Sequence, residues 1–309
     1  MKKIAILGAT GYVGRSLLRE FFLGHKKQEL VVFTRSIDKI NEFLKVMPKK
    51  VEYSVCLLEQ FQQGQYDVII NCTGISSSPD VAKNPFELFQ VTEEVDSLVI
   101  NYLHKHPKAL YINISSGVVY GENFEKSVDE KSKTILPAGF FQGGESYAIT
   151  KINAEAKHRS LFMFNIVDIR VFGFFGSLVD VGSPFLMSAI VKSLQDKKTF
   201  MTHKDDIIRD YVIAEDLLSL ISLIIKKNKI NDYFDIYSKK PISKFELLKA
   251  LTKKYNLPYT VSKQKGGIKM IAKKMYFSKS KKATTVLGYK PKRTSLEAIL
   301  FELDKLNLK

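Results

Sequence analysis

Gly8-Ala9-Thr10-Gly11-Tyr12-Val13-Gly14 sits between an apolar run, Lys3 to Leu7, and a stretch with helical apolar spacing, Tyr12 to Leu23. Glycines at every third position after a strand suit the binding of a pyrophosphate. Gly8 allows the tight turn, Gly11 lets backbone approach the anion, and Gly14 lets helix pack on strand. The helix start adds free N–H groups and the positive end of its dipole. With Thr10, Tyr12 and Val13 these glycines are the candidate contacts of a dinucleotide. A second apolar run, Leu30 to Phe33, ends in Thr34-Arg35-Ser36. An acidic residue there would bind a free ribose 2′-hydroxyl, whereas Arg35 suits a 2′-phosphate. NADP(H) is therefore favoured over NAD(H). Asp38 reads instead as the N-cap of the following helix.

Tyr147 and Lys151, in Ser146-Tyr147-Ala148-Ile149-Thr150-Lys151, have the spacing that stacks two side chains on one helix face. A free phenol, with a pKa of about 10, is a poor base at neutral pH. An ammonium one turn away and the charge of a nicotinamide favour the phenolate. Tyr147 can then exchange the proton that accompanies hydride transfer, and Lys151 can also donate to the nicotinamide ribose. Ser115 and Ser116 follow a fifth apolar run, Leu110 to Ile114. A hydroxyl at the carboxyl end of such a strand can reach cofactor or hold a substrate oxygen as charge develops on it. Taken singly, each signal is also a turn, a cap or an exposed helical pair; their order along the chain sets them apart.

These residues need a frame. Further apolar runs occur at Val51 to Leu58, Tyr66 to Asn71 and Ile166 to Val171. Helical patterns at Ile37 to Val46, Phe86 to His104 and Tyr147 to Phe162 separate them. Strands apolar throughout, alternating with helices, predict an α/β fold built on a doubly wound parallel Rossmann sheet. After Phe172 the rhythm changes. Pro184 to Leu194, Glu215 to Lys226, Ser243 to Tyr255 and Ser295 to Leu306 read as helices, the last two opened by serine caps, and Tyr233 to Tyr237 as a strand. Residues 1–172 are expected to form the dinucleotide-binding domain, with a return segment near 207–237. Residues 173–309 are expected to form mainly a smaller α/β substrate-binding lobe. Lys263 to Lys274, lysine-rich around Gly266-Gly267, reads as a loop.

The 309 residues suffice for one large or two modest domains. No apolar run reaches the length of a membrane span, and the N-terminus does not read as a signal peptide. The expected compartment is the cytoplasm, with Cys56 and Cys72 as buried thiols rather than a disulfide. The formal charge of +16 comes from lysines spread along the whole chain. Arginines are confined to positions 15, 19, 35, 159, 170, 209 and 293, without the clustered forks that read bases. No nucleic-acid partner and no membrane insertion are expected. His25, His104, His106, His158 and His203 have no metal-ligand spacing, so no metal is expected.

In combination these motifs resemble the extended short-chain dehydrogenase/reductase family, the NAD-dependent epimerase/dehydratase group, over nearly the whole chain. The glycine loop matches its nucleotide motif. Asp67 to Gly74 matches the fourth-strand segment, where backbone at Thr73 and Gly74 borders the nucleotide. Ser116, four before Tyr120 in Ser115-Ser116-Gly117-Val118-Val119-Tyr120-Gly121, matches the catalytic serine. Tyr147 and Lys151 match the catalytic pair. Arg170-Val171-Phe172 with Gly176 resembles the sixth-strand segment, and Leu287-Gly288-Tyr289-Lys290-Pro291 the C-terminal signature. Arg209 in Arg209-Asp210-Tyr211-Val212 matches an arginine that often contacts the substrate's diphosphate. The resemblance implies a nucleotide-sugar substrate and a homodimer made by the helices at Phe86 to His104 and Tyr147 to Phe162.

Some family features are missing. Gly117-Val118 stands where dehydratases carry acidic residues beside the catalytic hydroxyl, so dehydration loses ground. An asparagine expected near Gln90 to Thr92 is absent, and Gly173 replaces another. The leading expectation is NADPH-dependent reduction of a keto group on a nucleotide-linked deoxysugar. The alternative is an epimerase that recycles a bound NAD(P). Outside enzymology stand an NADP(H)-binding regulator and an RNA-binding relative, both disfavoured by the intact Ser116, Tyr147 and Lys151 set and by the scattered lysines.

Overall fold

Four strands from the first third of the chain meet side by side, and the sheet grows outward from them. The computed structural model describes residues 1–24, 28–47, 51–74, 85–121, 124–136, 143–262 and 273–308. Strands β1 (Lys2–Leu7), β2 (Gln28–Thr34), β3 (Glu52–Leu57), β4 (Val68–Asn71), β5 (Leu110–Ser116) and β6 (Asn165–Val171) lie in one sheet with β11 (Asn231–Asp235). The order of its seven strands is β11-β6-β5-β4-β1-β2-β3, parallel throughout. The chain winds outward from β1 to β3, then restarts on the other side of β1 at β4. The carboxyl ends of β1 and β4 therefore open a crevice at the switch point. Register sets Leu7 level with Asn71, and Asn71 level with Asn113.

The uniformly apolar runs have a simple cause: both faces of the sheet are covered. Ile4 and Ile6 face a core shared with Leu17, Leu18 and Phe21 of α1 (Tyr12–Leu23) and with Leu217 and Leu220 further on. Ala5 and Leu7 face the opposite core, with Val95, Val99 and Tyr102 of α3 (Pro85–Lys105). Strand β3, at the edge, exposes Glu52 and Ser54. Helix α2 (Ile37–Lys45) leaves its N-cap position to Ser36, and Asp38 lies in the first turn, not at the cap. Helix α4 (Gly143–Ser160) begins before Tyr147, so that residue sits within the helix, not at its start.

A third core gathers Phe175, Ile190, Leu247, Leu251 and Ile299. It lies among α5 (Leu186–Gln195), α7 (Lys244–Tyr255) and α9 (Ser295–Asp304). Between these run α6 (Ala214–Ile224), α8 (Lys282–Leu287) and short strands that pair in twos and threes. Ser243 caps α7 as expected, accepting the Glu246 N–H at 3.2 Å. The cap of α9 is Thr294, not Ser295. Thr294 and Glu297 form a reciprocal capping box. Ser295 is buried instead, donating to Asp210 Oδ1 at 3.0 Å and accepting from the Tyr211 N–H at 2.8 Å. The returning strand begins at Asn231 rather than Tyr233, because the Asn231 amide donates to the carbonyls of His158 and Leu161 at 3.0 Å each. Most of the Lys263 to Lys274 loop, and His25, lie outside the described residues. No helix among the described residues is long and apolar enough to cross a membrane, and Cys56 and Cys72 are both free thiols.

Candidate functional site

The glycine loop is shaped by close approach. Gly8 has φ of +71°, and a Cβ on it would lie 2.6 Å from the Thr73 nitrogen. A Cβ on Gly14 would lie 2.3 Å from the Gly8 carbonyl oxygen. Both positions exclude any side chain. Gly11 takes the N-cap position of α1 without a capping side chain, and the first turn carries no acidic residue. The N–H groups of that turn are thus left for an external anion, the fit a pyrophosphate requires. Thr10 and Gly11 are exposed, and Val13 is half-buried. The Tyr12 hydroxyl is engaged elsewhere. It accepts from the Gly176 N–H at 2.6 Å and donates to the Gly176 carbonyl at 3.0 Å. That leaves backbone as what Tyr12 offers to an anion.

At the end of β2, Thr34 Oγ1 accepts the Ser36 N–H at 3.0 Å and donates to the Ser36 carbonyl at 2.9 Å, closing the turn. Arg35 is exposed beside it. At the end of β4, the Thr73 N–H donates to Asn71 Oδ1 at 2.9 Å. Gly74 lies next to Lys151: a Cβ on it would be 3.5 Å from Lys151 Nζ.

Helix α4 carries Tyr147, Lys151 and Glu155 at intervals of four along the face toward the sheet. Lys151 is buried, its Nζ donating to the Ile114 carbonyl at 3.1 Å and lying 6.0 Å from the centre of the Tyr147 ring. It therefore joins α4, β5 and the Gly74 loop. Ser115 and Ser116 are the last residues of β5 rather than residues after it, and point to opposite sides. Ser115 Oγ donates to Glu155 Oε1 at 2.6 Å, and Arg170 Nη2 meets Glu155 Oε2 at 2.5 Å. Burial pushes the Glu155 carboxyl up, with Arg170 pulling against it. The Ser115 hydroxyl is thus part of a brace behind the site. Ser116, eight per cent exposed, turns the other way.

Tyr276, on strand β14 (Met275–Tyr276), has its hydroxyl 3.3 Å from Ser116 Oγ. Sequence reasoning missed it. It belongs to a two-residue strand 160 positions from Ser116, and no local pattern marks it. Its ring stands in a cluster with Phe124 and Phe172. Arg209, on strand β9 (Ile208–Arg209) beside β14, has Nη1 donating to the carbonyls of Ile208 at 2.8 Å and Lys273 at 2.7 Å. Its guanidinium carbon is 5.8 Å from the Tyr276 ring centre. Burial lowers its pKa from the ordinary arginine value. Arg209 thus approaches Ser116 through Tyr276, with one edge occupied by backbone.

The model of the NAD-dependent epimerase/dehydratase family matches residues 4–238. The chain belongs to this family. Among solved structures, UDP-glucuronic acid 4-epimerase from Bacillus cereus, in complex with UDP-glucuronic acid and NAD, is 21% identical with a TM-score of 0.78, covering 99% of each chain. UDP-glucose 4-epimerase from Stenotrophomonas maltophila, with bound NAD and formylated UDP-arabinopyranose, is 16% identical with a TM-score of 0.79, covering 99% of this chain and 98% of that one. The dTDP-glucose 4,6-dehydratase from Bacillus anthracis, in complex with NAD, is 14% identical with a TM-score of 0.73, covering 100% of both chains. No curated protein matches the chain. These solved structures share the fold over 98–100% of each chain.

Proposed function

We propose that the chain is a nucleotide-sugar epimerase that keeps its nicotinamide nucleotide, mainly in residues 1–172, and takes the sugar against residues 173–309. One observation carries the reading. Lys151, tied to Ile114 and lying beside Gly74, is 6.0 Å from the Tyr147 ring centre, which supports a nucleotide bordered by Gly74 lying beside this pair. The nucleotide, when bound, supplies a hydride acceptor and donor. Tyr147 takes the proton from the sugar hydroxyl as it is oxidised, and returns it on reduction. Ser116 hydrogen-bonds the same oxygen, with Tyr276 ordering the serine hydroxyl. Lys151 holds positive charge against the Tyr147 ring. Gly117-Val118 beside Ser116 offers no carboxylate to move a second proton, so epimerisation is favoured over dehydration.

A second reading, net reduction of a keto sugar by NADPH, draws on Arg35. It is exposed where a 2′-phosphate would sit, and the Ser36 hydroxyl next to it is not spent on capping α2. One experiment separates the two. The purified protein is denatured and any released pyridine nucleotide identified, then fresh protein is mixed with UDP-sugars and nothing else. Stoichiometric nucleotide and interconversion of an epimer pair support the epimerase. Empty protein that consumes NADPH only when a keto sugar is added supports the reductase. Protein that neither releases nor binds a pyridine nucleotide overturns both.

A further inference from the structure

His158, on α4, is fully buried and faces α3 and the sheet. Its Nε2 lies 2.7 Å from Asp96 Oδ1 on α3, and its Nδ1 lies 2.8 and 3.0 Å from the two oxygens of Asp168 on β6. Both ring nitrogens face carboxylates. A neutral ring would turn a lone pair onto one of them, so the ring carries two N–H groups and a positive charge. The surroundings balance this charge. Lys157 Nζ is 2.8 Å from Asp96 Oδ2 and 2.7 Å from Glu93 Oε2, while Arg159 Nη2 is 3.0 Å from Asp168 Oδ2. Asn113 on β5 donates to Asp168 Oδ1 at 2.8 Å. His158, Lys157 and Arg159 thus stand against Asp96, Asp168 and Glu93.

The cluster dictates hydrogen-bond direction outward to the glycine-loop side of the sheet. An ionised Asp96 only accepts, so Tyr111 must donate to it, at 3.0 Å. The Tyr111 oxygen, its proton spent, can then only accept, and takes the Asn71 amide N–H at 3.0 Å. That fixes which way the Asn71 amide points. Its oxygen is left to accept the Thr73 N–H at 2.9 Å. The flipped amide would set N–H against N–H at Thr73 and oxygen against a spent oxygen at Tyr111. A buried ion cluster of this kind adds little to stability over an apolar core, but it selects one of two amide orientations.

We infer that His158 is a positioning residue for the nucleotide site, acting through Asp96, Tyr111 and Asn71 to pin the Thr73 N–H and so the Thr73-Gly74 backbone. This rests on the proposed reading of Thr73 and Gly74 as the nucleotide's border. The burial of His158 disfavours its charge, yet Asp168 and Asp96 outweigh this and carry its pKa up to about 9. The chain of donors is therefore set throughout the neutral range.

The test is Tyr111→Phe, which keeps the ring and all the charges but cuts the chain. Amide hydrogen exchange is followed first, in nucleotide-free protein. Thr73 should exchange about three- to tenfold faster in the variant, the size of one lost hydrogen bond, while Ile112 and Ile166 stay as in the parent. Titration with NADH and NADPH follows. The dissociation constant of the bound nucleotide should rise by a similar factor, with kcat at saturation kept. Unchanged Thr73 exchange overturns the inference whatever the nucleotide does. Faster exchange with unaltered nucleotide affinity overturns the positioning role. Parent protein that binds no nucleotide sinks the proposed function and this role with it, while the exchange data still report on the chain. Should Tyr111→Phe not fold, nitrogen NMR of the parent decides: two ring N–H groups on His158 at pH 7 are expected, and a neutral ring overturns the inference.

Discussion

In the proposed reaction, Tyr147 is the residue on which the chemistry turns. Its neighbours are arranged for charge, since Lys151 is buried and held by the Ile114 carbonyl rather than by a carboxylate. Among the described residues no carboxylate forms an ion pair with that ammonium, so it acts on whatever negative charge develops at the phenol. Tyr147→Phe keeps the ring and the helix but removes the exchangeable proton. Turnover should fall by about 10²–10⁴, the usual worth of a positioned acid or base. Nucleotide affinity should stay within a factor of about two, because the glycine loop lies on another element. Steady-state kinetics beside a fluorescence titration check this. Retained turnover would exclude Tyr147 as the proton carrier. Tyr276 is a different case, since it touches the serine hydroxyl rather than the reacting atoms and so is a positioning residue.

The elements explain what could be foreseen and what could not. Strands β1, β4 and β5 were legible because burial on both faces makes them continuous apolar runs, and α1 because its apolar spacing starts at the glycines. That Tyr147 and Lys151 lie together was legible because four residues on a helix is a local relation. Tyr276 and the start of the returning strand at Asn231 were obscure for the opposite reason. Their partners lie far away along the chain, and two-residue strands such as β9 and β14 carry no periodicity to detect. The caps divide in the same way. Ser243 behaves as its local sequence suggests, whereas Ser295 is drawn inward by Asp210, 85 residues away, and Thr294 takes over. Ser243→Ala should therefore cost about 1 kcal/mol, by loss of the Glu246 N–H acceptor at the start of α7. For a chain of this length that is a fall in Tm of roughly 1–2 °C, read by calorimetry. A change below a few tenths of a degree would mean water replaces the hydroxyl without loss.

At the scale of the whole molecule, the charge balance and the buried cluster act on stability in opposite directions as pH rises. The surface carries a formal +16, and removing that charge would relieve self-repulsion. Salt near 0.15 M, however, screens those charges beyond about 8 Å. His158 is neither exposed nor screened. Burial pulls its pKa down, but Asp168 and Asp96 win and raise it from 6.5 to about 9. The folded chain thus binds one proton more than the unfolded chain between those values. The stability this contributes is fully present below pH 6.5 and is lost as pH rises through about 9. The slope is about 1.4 kcal/mol per pH unit, and the total is on the order of 3 kcal/mol. Two other buried groups fall outside the window. Burial raises Asp216 to about 6, so its effect is nearly complete by neutrality. Burial raises the Cys72 thiol from 9.0 to about 12, so its effect begins where that of His158 ends. Urea unfolding from pH 6.5 to 9 should therefore show a steady decline in stability at both low and physiological salt. A curve that is flat across that interval, with a decline only above pH 9, would place the change on Cys72 and leave the imidazole of His158 neutral in the folded chain.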